Sequence, residues 1–213
     1  MSPTFQEFLL WFPAVVIALT VHEFAHAFVA DRLGDPTARA LGRVTLNPLS
    51  HLDPMGTILL VVMHFGWGRP VPVDTRYLNN PRRDLLVISA AGPAINVVTA
   101  VVVGLGLQSI GETLLTSETG VFVYLGLQAL VLLSLLLAFF NLLPVPPLDG
   151  SKVLMGLLPA PLADAYARQA SLLSWGLMGL IVVGAVTGWH PLSRLIYPPA
   201  RWLYVLLTGT DMP

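Results

Sequence analysis

The chain of 213 residues is 55% hydrophobic and 11% charged, with a mean hydropathy of +0.74. Its 23 charged residues cannot coat a soluble domain of this size, in which about a quarter of positions carry charge, so the sequence reads as an integral membrane protein. A net charge of −1 excludes a basic footprint for nucleic acid. The lack of cysteine excludes disulfide frameworks, thiolate zinc sites, iron–sulfur clusters and cysteine nucleophiles.

A helix needs about 20 apolar residues to cross the hydrocarbon core. Phe8–Ala30 has that length and is apolar except for His22, Glu23 and His26. It lacks the basic lead and small-residue cleavage pattern of a signal peptide, so it is expected to be a span. Gly42–Asn47 and Pro70–Asp74 alternate enough for short strands, with plain interfacial loops as the other reading. Between them Pro54–Gly68 is apolar but short, and arginine placement decides its course. If it crosses, Lys and Arg divide five to six between the two faces. If it dips in and returns, nine lie on one face and only Arg194 and Arg201 on the other, as the positive-inside rule requires. A re-entrant segment is therefore expected, with the N-terminus outside. Leu85–Leu107, Val121–Leu143 and Gln169–Trp189 contain no Asp, Glu, Lys, Arg or His and are expected spans. Leu195–Gly209, broken by Pro198-Pro199, is expected to be an interfacial helix. The expected fold is all-α: four spans, a short re-entrant β-structure after the first, and one transmembrane domain over residues 1–213.

His22-Glu23-Phe24-Ala25-His26 is an H-E-x-x-H pattern. On a helix the two imidazoles lie one turn apart on one face and can reach one metal, while Glu23 can act on a water beside it as general base. Five residues alone are a weak signal, since two histidines and a glutamate can end an ordinary helix. Membrane depth changes the weighting. Each ionisable group there costs roughly 2.5–3.5 kcal/mol on insertion scales, and no basic partner exists within the span. A divalent cation is the simplest compensating charge. His22 lies about 21 Å from the Phe8 end and about 12 Å from the Ala30 end, nearer the arginine-rich face.

Hydrolytic zinc takes three protein ligands and an open position for water. No glycine and histidine follow at the spacing that would extend the local motif; Val29 and Arg32 stand there. The next segment of interest is Asn141-Leu142-Leu143-Pro144-Val145-Pro146-Pro147-Leu148-Asp149-Gly150, where three prolines end the third span. Asp149 is the only carboxylate between Glu118 and Asp164. Read alone, an Asp-Gly turn at a helix exit explains it equally well.

In combination these motifs resemble those of the site-2 protease family of intramembrane zinc metalloproteases. The resemblance rests on the H-E-x-x-H of the first span, Gly92-Pro93-Ala94-Ile95-Asn96 and the N-x-x-P-x-P-P-L-D-G segment, and it extends over residues 15–155, including 42–57 and 68–84. It implies zinc ligation by His22, His26 and Asp149, with Glu23 as general base. It also implies a substrate or oxyanion contact at Asn141, and a minimal member without PDZ or CBS domains. Asn96 is expected either to support substrate or the ligand helix, or to bond a neighbouring helix. His64 is read as interfacial rather than as a fourth ligand; His51 and His190 receive no role.

The expected activity is hydrolysis of peptide bonds within or near transmembrane segments of membrane-protein substrates. One Zn2+ per chain is expected, although iron, cobalt or manganese suit similar ligand sets. The expected setting is the plasma membrane of a prokaryote, with the site nearer the cytoplasmic face. The rival reading is a metal-binding transporter or a catalytically silent scaffold. Transporters more often show repeated halves, which are not visible here, and a scaffold would not need Glu23.

Overall fold

The computed structural model describes residues 5–63 and 66–212. Its helices are α1 (Phe5–Arg32), α2 (Thr37–Ala40), α3 (Pro54–Met63), α4 (Pro81–Leu114), α5 (Glu118–Asn141), α6 (Asp149–Leu157), α7 (Ala160–Arg168), α8 (Ala170–Thr187) and α9 (Pro191–Thr208). Of these, α1, α4, α5 and α8 are long and apolar enough to cross a membrane, matching the four expected spans. Polar caps carry two of them past their apolar runs. The Asn80 side chain accepts from the Arg83 N–H ahead of Pro81 at the start of α4, and the Ser117 hydroxyl accepts from the Gly120 N–H at α5.

The core is a crossing of two stripes with four-residue spacing. On α1 the buried line is Ala14, Ala18, His22, His26 and Ala30; on α4 it is Ile88, Gly92, Asn96, Ala100 and Gly104. The helices run antiparallel: Ala30 packs with Ile88, while Val103 packs against Ala14 and Ala18. Small residues along such rows let backbones approach closely, the usual source of cohesion where lipid removes the hydrophobic drive. Leu130 of α5 closes over Ala14 and Ala18 from the side.

The C-terminal helix departs from the interfacial expectation. Pro198 and Pro199 remove two N–H groups from its ladder without ending it. It lies lengthwise along α5, antiparallel: Ile196 packs with Leu143, Tyr204 with Val131 and Leu135, and Thr210 accepts from the Gln128 amide at 3.0 Å. Ala200 and Tyr204 are fully buried, and a Cβ on Gly104 would come within 2.8 Å of Leu207 Cβ. Spacing Ile196, Ala200, Tyr204 and Leu207 along one face outweighs the proline break, because that face fills the groove between α4 and α5. By contrast, α8 sits outside this bundle, on α7 and through Leu177 on Leu143, Leu148 and Ile196.

No strand forms among the described residues, so the expected β-structure is corrected. The segments 42–47 and 70–74 are joined by side chains instead of a ladder. Pro48, Pro70 and Pro72 offer no N–H, and buried Arg43 donates to the carbonyls of Arg69 and Pro70. Fully buried Asp35 accepts from the N–H groups of Thr37 (2.9 Å) and Asp74 (2.7 Å). Fully buried His51 places Nε2 2.7 Å from the Thr45 carbonyl. The apolar segment after it forms a hairpin: α3 has ten residues, about 15 Å, and the chain returns directly against it. Leu52 and Gly68 make an isolated antiparallel bridge, and the Arg69 N–H donates to the His51 carbonyl at 2.7 Å. The close return needs glycine at position 56, where a Cβ would lie 2.2 Å from the Trp67 carbonyl oxygen. Because entry and exit are hydrogen-bonded to each other, Pro54–Gly68 does not connect opposite faces of the molecule.

Two outcomes follow from this loop. Cysteines placed singly at positions 40 and 76, both exposed, should react with an impermeant reagent from the same side of the membrane; labelling from opposite sides would contradict the hairpin. The second concerns pH. Burial holds the His51 imidazole below its ordinary value; the Thr45 carbonyl opposes the shift, the Arg43 cation adds to it, and Glu23 opposes it. The folded loop thus binds fewer protons than the unfolded chain. Its stability is full above the unfolded value near 6.5 and declines as pH falls below it. Amide exchange of residues 42–53, corrected for intrinsic rates, should accelerate from about pH 7 to about pH 5, and His51→Gln should remove most of that change.

Candidate metal centre

His22 and His26 project from the buried stripe of α1, and Asp149 meets them from the first turn of α6. The α5 helix ends at Asn141, and the proline loop that follows folds tightly enough to deliver the carboxylate. Val145 N–H donates to the Leu143 carbonyl, Leu148 N–H to the Val145 carbonyl, and Ser151 Oγ to the Leu148 carbonyl at 2.6 Å. Gly150 is required there, since a Cβ would lie 2.2 Å from the Leu142 carbonyl oxygen. The N-terminal end of α6 also favours an anion at position 149.

The three ligand-type atoms form a nearly equilateral triangle. His22 Nε2, His26 Nε2 and Asp149 Oδ2 are 3.1 Å apart in every pair, and the residues are at most 8% exposed. His26 Nδ1 lies 2.7 Å from the Ile88 carbonyl oxygen, which can only accept. In a neutral ring the proton is therefore on Nδ1, and Nε2 presents a lone pair. That lone pair faces the Asp149 oxygen, another acceptor. Two acceptors set against each other in this way, with His22 Nε2 at 3.1 Å from both, call for a cation between them. Ligands about 2.0–2.1 Å from tetrahedral zinc would be roughly 3.3 Å apart, close to the spacing seen. His22, His26 and Asp149 are also a group able to hold a metal by reach.

Room for this cluster comes from α4. A Cβ on Gly92 would stand 2.4 Å from His26 Nε2 and 2.7 Å from His22 Nε2. One turn earlier, Ile88 supplies the carbonyl for His26; one turn later, fully buried Asn96 places its amide 3.4 Å from His22 Nδ1. Asn96 thus stands behind a histidine, with no exposed surface to offer a substrate. Asn141 ends α5 ahead of the same loop, and its Nδ2 donates to the Leu137 carbonyl of its own helix at 3.0 Å. Lys152 Nζ is 3.9 Å from Asp149 Oδ1 on the more open side.

Glu23 is half-buried, next to His22 along the helix but off the buried stripe. Leu19, one turn before it, meets the hairpin return at Gly68, where a Cβ would lie 3.0 Å from Leu19 Cδ1. The loop therefore covers the Glu23 face of α1, and the charges of Arg43 and Glu23 act on each other. An apolar groove of about 560 Å3 along α3, between Leu49 and Val62, shares no residue with the cluster. His190 packs beside Gly184 of α8, far along the chain from the ligand set, and His64 lies outside the described residues. Sequence reasoning missed Arg43, His51 and the Ile88 carbonyl. The first two were visible only as part of a motif, and a backbone oxygen leaves no trace in the residue type. Gly92 had a signal in the four-residue run Gly92, Asn96, Ala100, Gly104.

The pattern of Peptidase family M50 matches residues 116–183. Over 173 residues the chain is 40% identical to a Bacillus subtilis (strain 168) protein named "Putative zinc metalloprotease YwhC", covering 79% of this chain and 77% of that one. It is 32% identical over 203 residues to "Putative zinc metalloprotease Rip2" of Mycolicibacterium smegmatis, covering 92% and 73%. The same figure holds over 180 residues, 82% and 67%, for the protein of that name from Mycobacterium tuberculosis (strain H37Rv). No solved structure gives a significant match. With its buried His22, His26 and Asp149 cluster on apolar helices, the chain belongs to peptidase family M50, the site-2 protease family of zinc metalloproteases.

Proposed function

We propose that this protein hydrolyses peptide bonds within or near the transmembrane segments of membrane-protein substrates, with His22, His26 and Asp149 as zinc ligands and Glu23 as the general base. The observation that carries this reading is the convergence of three buried ligand-type atoms, 3.1 Å apart, beside a half-buried carboxylate on an apolar helix. Zinc held there would polarise the scissile carbonyl and the attacking water. Glu23 takes the proton from that water and returns it to the departing amine. The Ile88 carbonyl keeps the His26 lone pair pointed inward throughout. Asn141 sits at the α5 end from which Asp149 is delivered. By releasing the Leu137 carbonyl, its amide can donate to the carbonyl oxygen as negative charge develops there, a contribution of roughly 10²-fold in rate. A substrate helix must unwind locally, because a helical carbonyl is already bonded within its own segment. The arginine-rich loops support a site nearer the cytoplasmic face of a prokaryotic plasma membrane.

Glu23→Gln should retain one zinc per chain and lose cleavage of a transmembrane-peptide substrate by at least 10³-fold, by analogy with loss of a positioned acid–base group. Loss of zinc from that variant would move Glu23 into the ligand set. Asp149→Ala should lose both zinc and activity, and full retention of zinc would remove it as a ligand. Gly92→Ala tests the space rather than the chemistry. Its methyl group enters the position of the imidazole nitrogens, so metal content should fall sharply while helicity is kept. Stoichiometric zinc in Gly92→Ala, measured on detergent-purified protein, would contradict the close crossing.

A further inference from the structure

His26 and His22 contribute the same atom, Nε2, to the cluster, and each needs its other nitrogen held by an acceptor. For His26 the Ile88 carbonyl does this at 2.7 Å. For His22 the facing group is the Asn96 side-chain amide, with Nδ2 3.4 Å from Nδ1 and Oδ1 buried without a hydrogen-bond partner. Taken in that sense, the amide would donate to Nδ1 and force the ring proton onto Nε2, where it would point at Asp149 Oδ2 and His26 Nε2. The two ends of a carboxamide have nearly the same shape, and their assignment follows from the hydrogen-bond network. A half-turn of the amide brings Oδ1 to His22 Nδ1. The oxygen then gains a donor, and Nε2 is left with a lone pair.

We propose that Asn96 is a positioning residue for the metal site: its Oδ1 accepts from His22 Nδ1–H and fixes the tautomer and ring plane in which Nε2 is a ligand. Ile88 and Asn96 stand two turns apart on α4 with Gly92 between them, so one stripe of one helix orients both imidazoles and leaves room for the ion. This inference rests on the ligand set proposed above and adds a residue that acts through His22. Partners of this kind, holding the outer nitrogen of a metal-bound histidine, typically account for 10- to 100-fold in metal affinity.

The test is zinc affinity, measured by chelator competition on the purified full-length chain as wild type, Asn96→Leu and Asn96→Asp. Leucine keeps the volume and removes the acceptor; aspartate keeps an acceptor oxygen at the same reach. Asn96→Leu should weaken zinc binding 10- to 100-fold with the helical content of the metal-free protein unchanged, and Asn96→Asp should bind zinc at least as tightly as wild type. Equal weakening in both variants would overturn the proposal, because it would mark packing rather than acceptance as the requirement. Unchanged zinc affinity in Asn96→Leu with reduced cleavage would also overturn it and make Asn96 a substrate contact. Should the leucine variant not fold, a loss of zinc affinity in Asn96→Asp alone would suffice to reject it. Absence of zinc binding by the wild type would instead reject the ligand set itself, a result separable from either of these.

Discussion

A Cβ at position 92 would lie 2.4 Å from one imidazole and 2.7 Å from the other, and the site can exist only because glycine has none. The antiparallel crossing of α1 and α4 sets Ile88, Gly92 and Asn96 against His22, His26 and Ala30, while Ala100 and Gly104 of the same row face α5 and α9. At Gly92, where packing would otherwise be apolar, the chain sets two histidines against a bare backbone. The same close contact that binds two helices in lipid therefore opens a pocket for an ion. Ile88 and Asn96, above and below Gly92 on that stripe, face the outer nitrogens of the rings.

The third ligand-type group has a different origin. Asp149 reaches the seam because α5 stops at Asn141 and the loop behind it is compact, closed by Gly150 against the Leu142 carbonyl and by Ser151 on Leu148. Leu143 and Leu148 of that loop are held in turn by Leu177 and Ile196. The C-terminal helix thus does more than cover the bundle: it clamps the loop that carries Asp149 at one end and binds α4 and α5 at the other. Leu143, Pro146 and Leu148 of the loop are buried, the two leucines against α8 and α9.

Over the exposed side of α1 lies the loop bearing Arg43 and His51. Its cohesion comes from buried polar side chains clasping backbone carbonyls, at positions where proline has removed the donors a β-ladder would need. Alternation of residue character in 42–47 and 70–74 signalled strands because it records which side chains face in, and it does not record which N–H groups are absent. A buried arginine supplied those donors across a separation of more than 25 residues in the chain.

Sequence alone determined the membrane character, the four apolar spans and the metal-type residues, because each is a local property: a run of about 20 uncharged residues, or two histidines one helical turn apart. Charge placement along the chain also predicted that Pro54–Gly68 turns back, and that return is visible in the Leu52–Gly68 bridge. Three matters were decided only by tertiary structure. Asp149 joins residues more than 120 positions away, and only the fold of the proline loop shows that its carboxylate meets both imidazoles. The C-terminal helix lies along the bundle because a groove between α4 and α5 accepts Ala200 and Tyr204, and no feature of its own sequence reveals that groove. Asn96 turns to His22 rather than outward because antiparallel crossing at Gly92 sets the two in register; contacts between helices depend on that register, which local sequence does not encode.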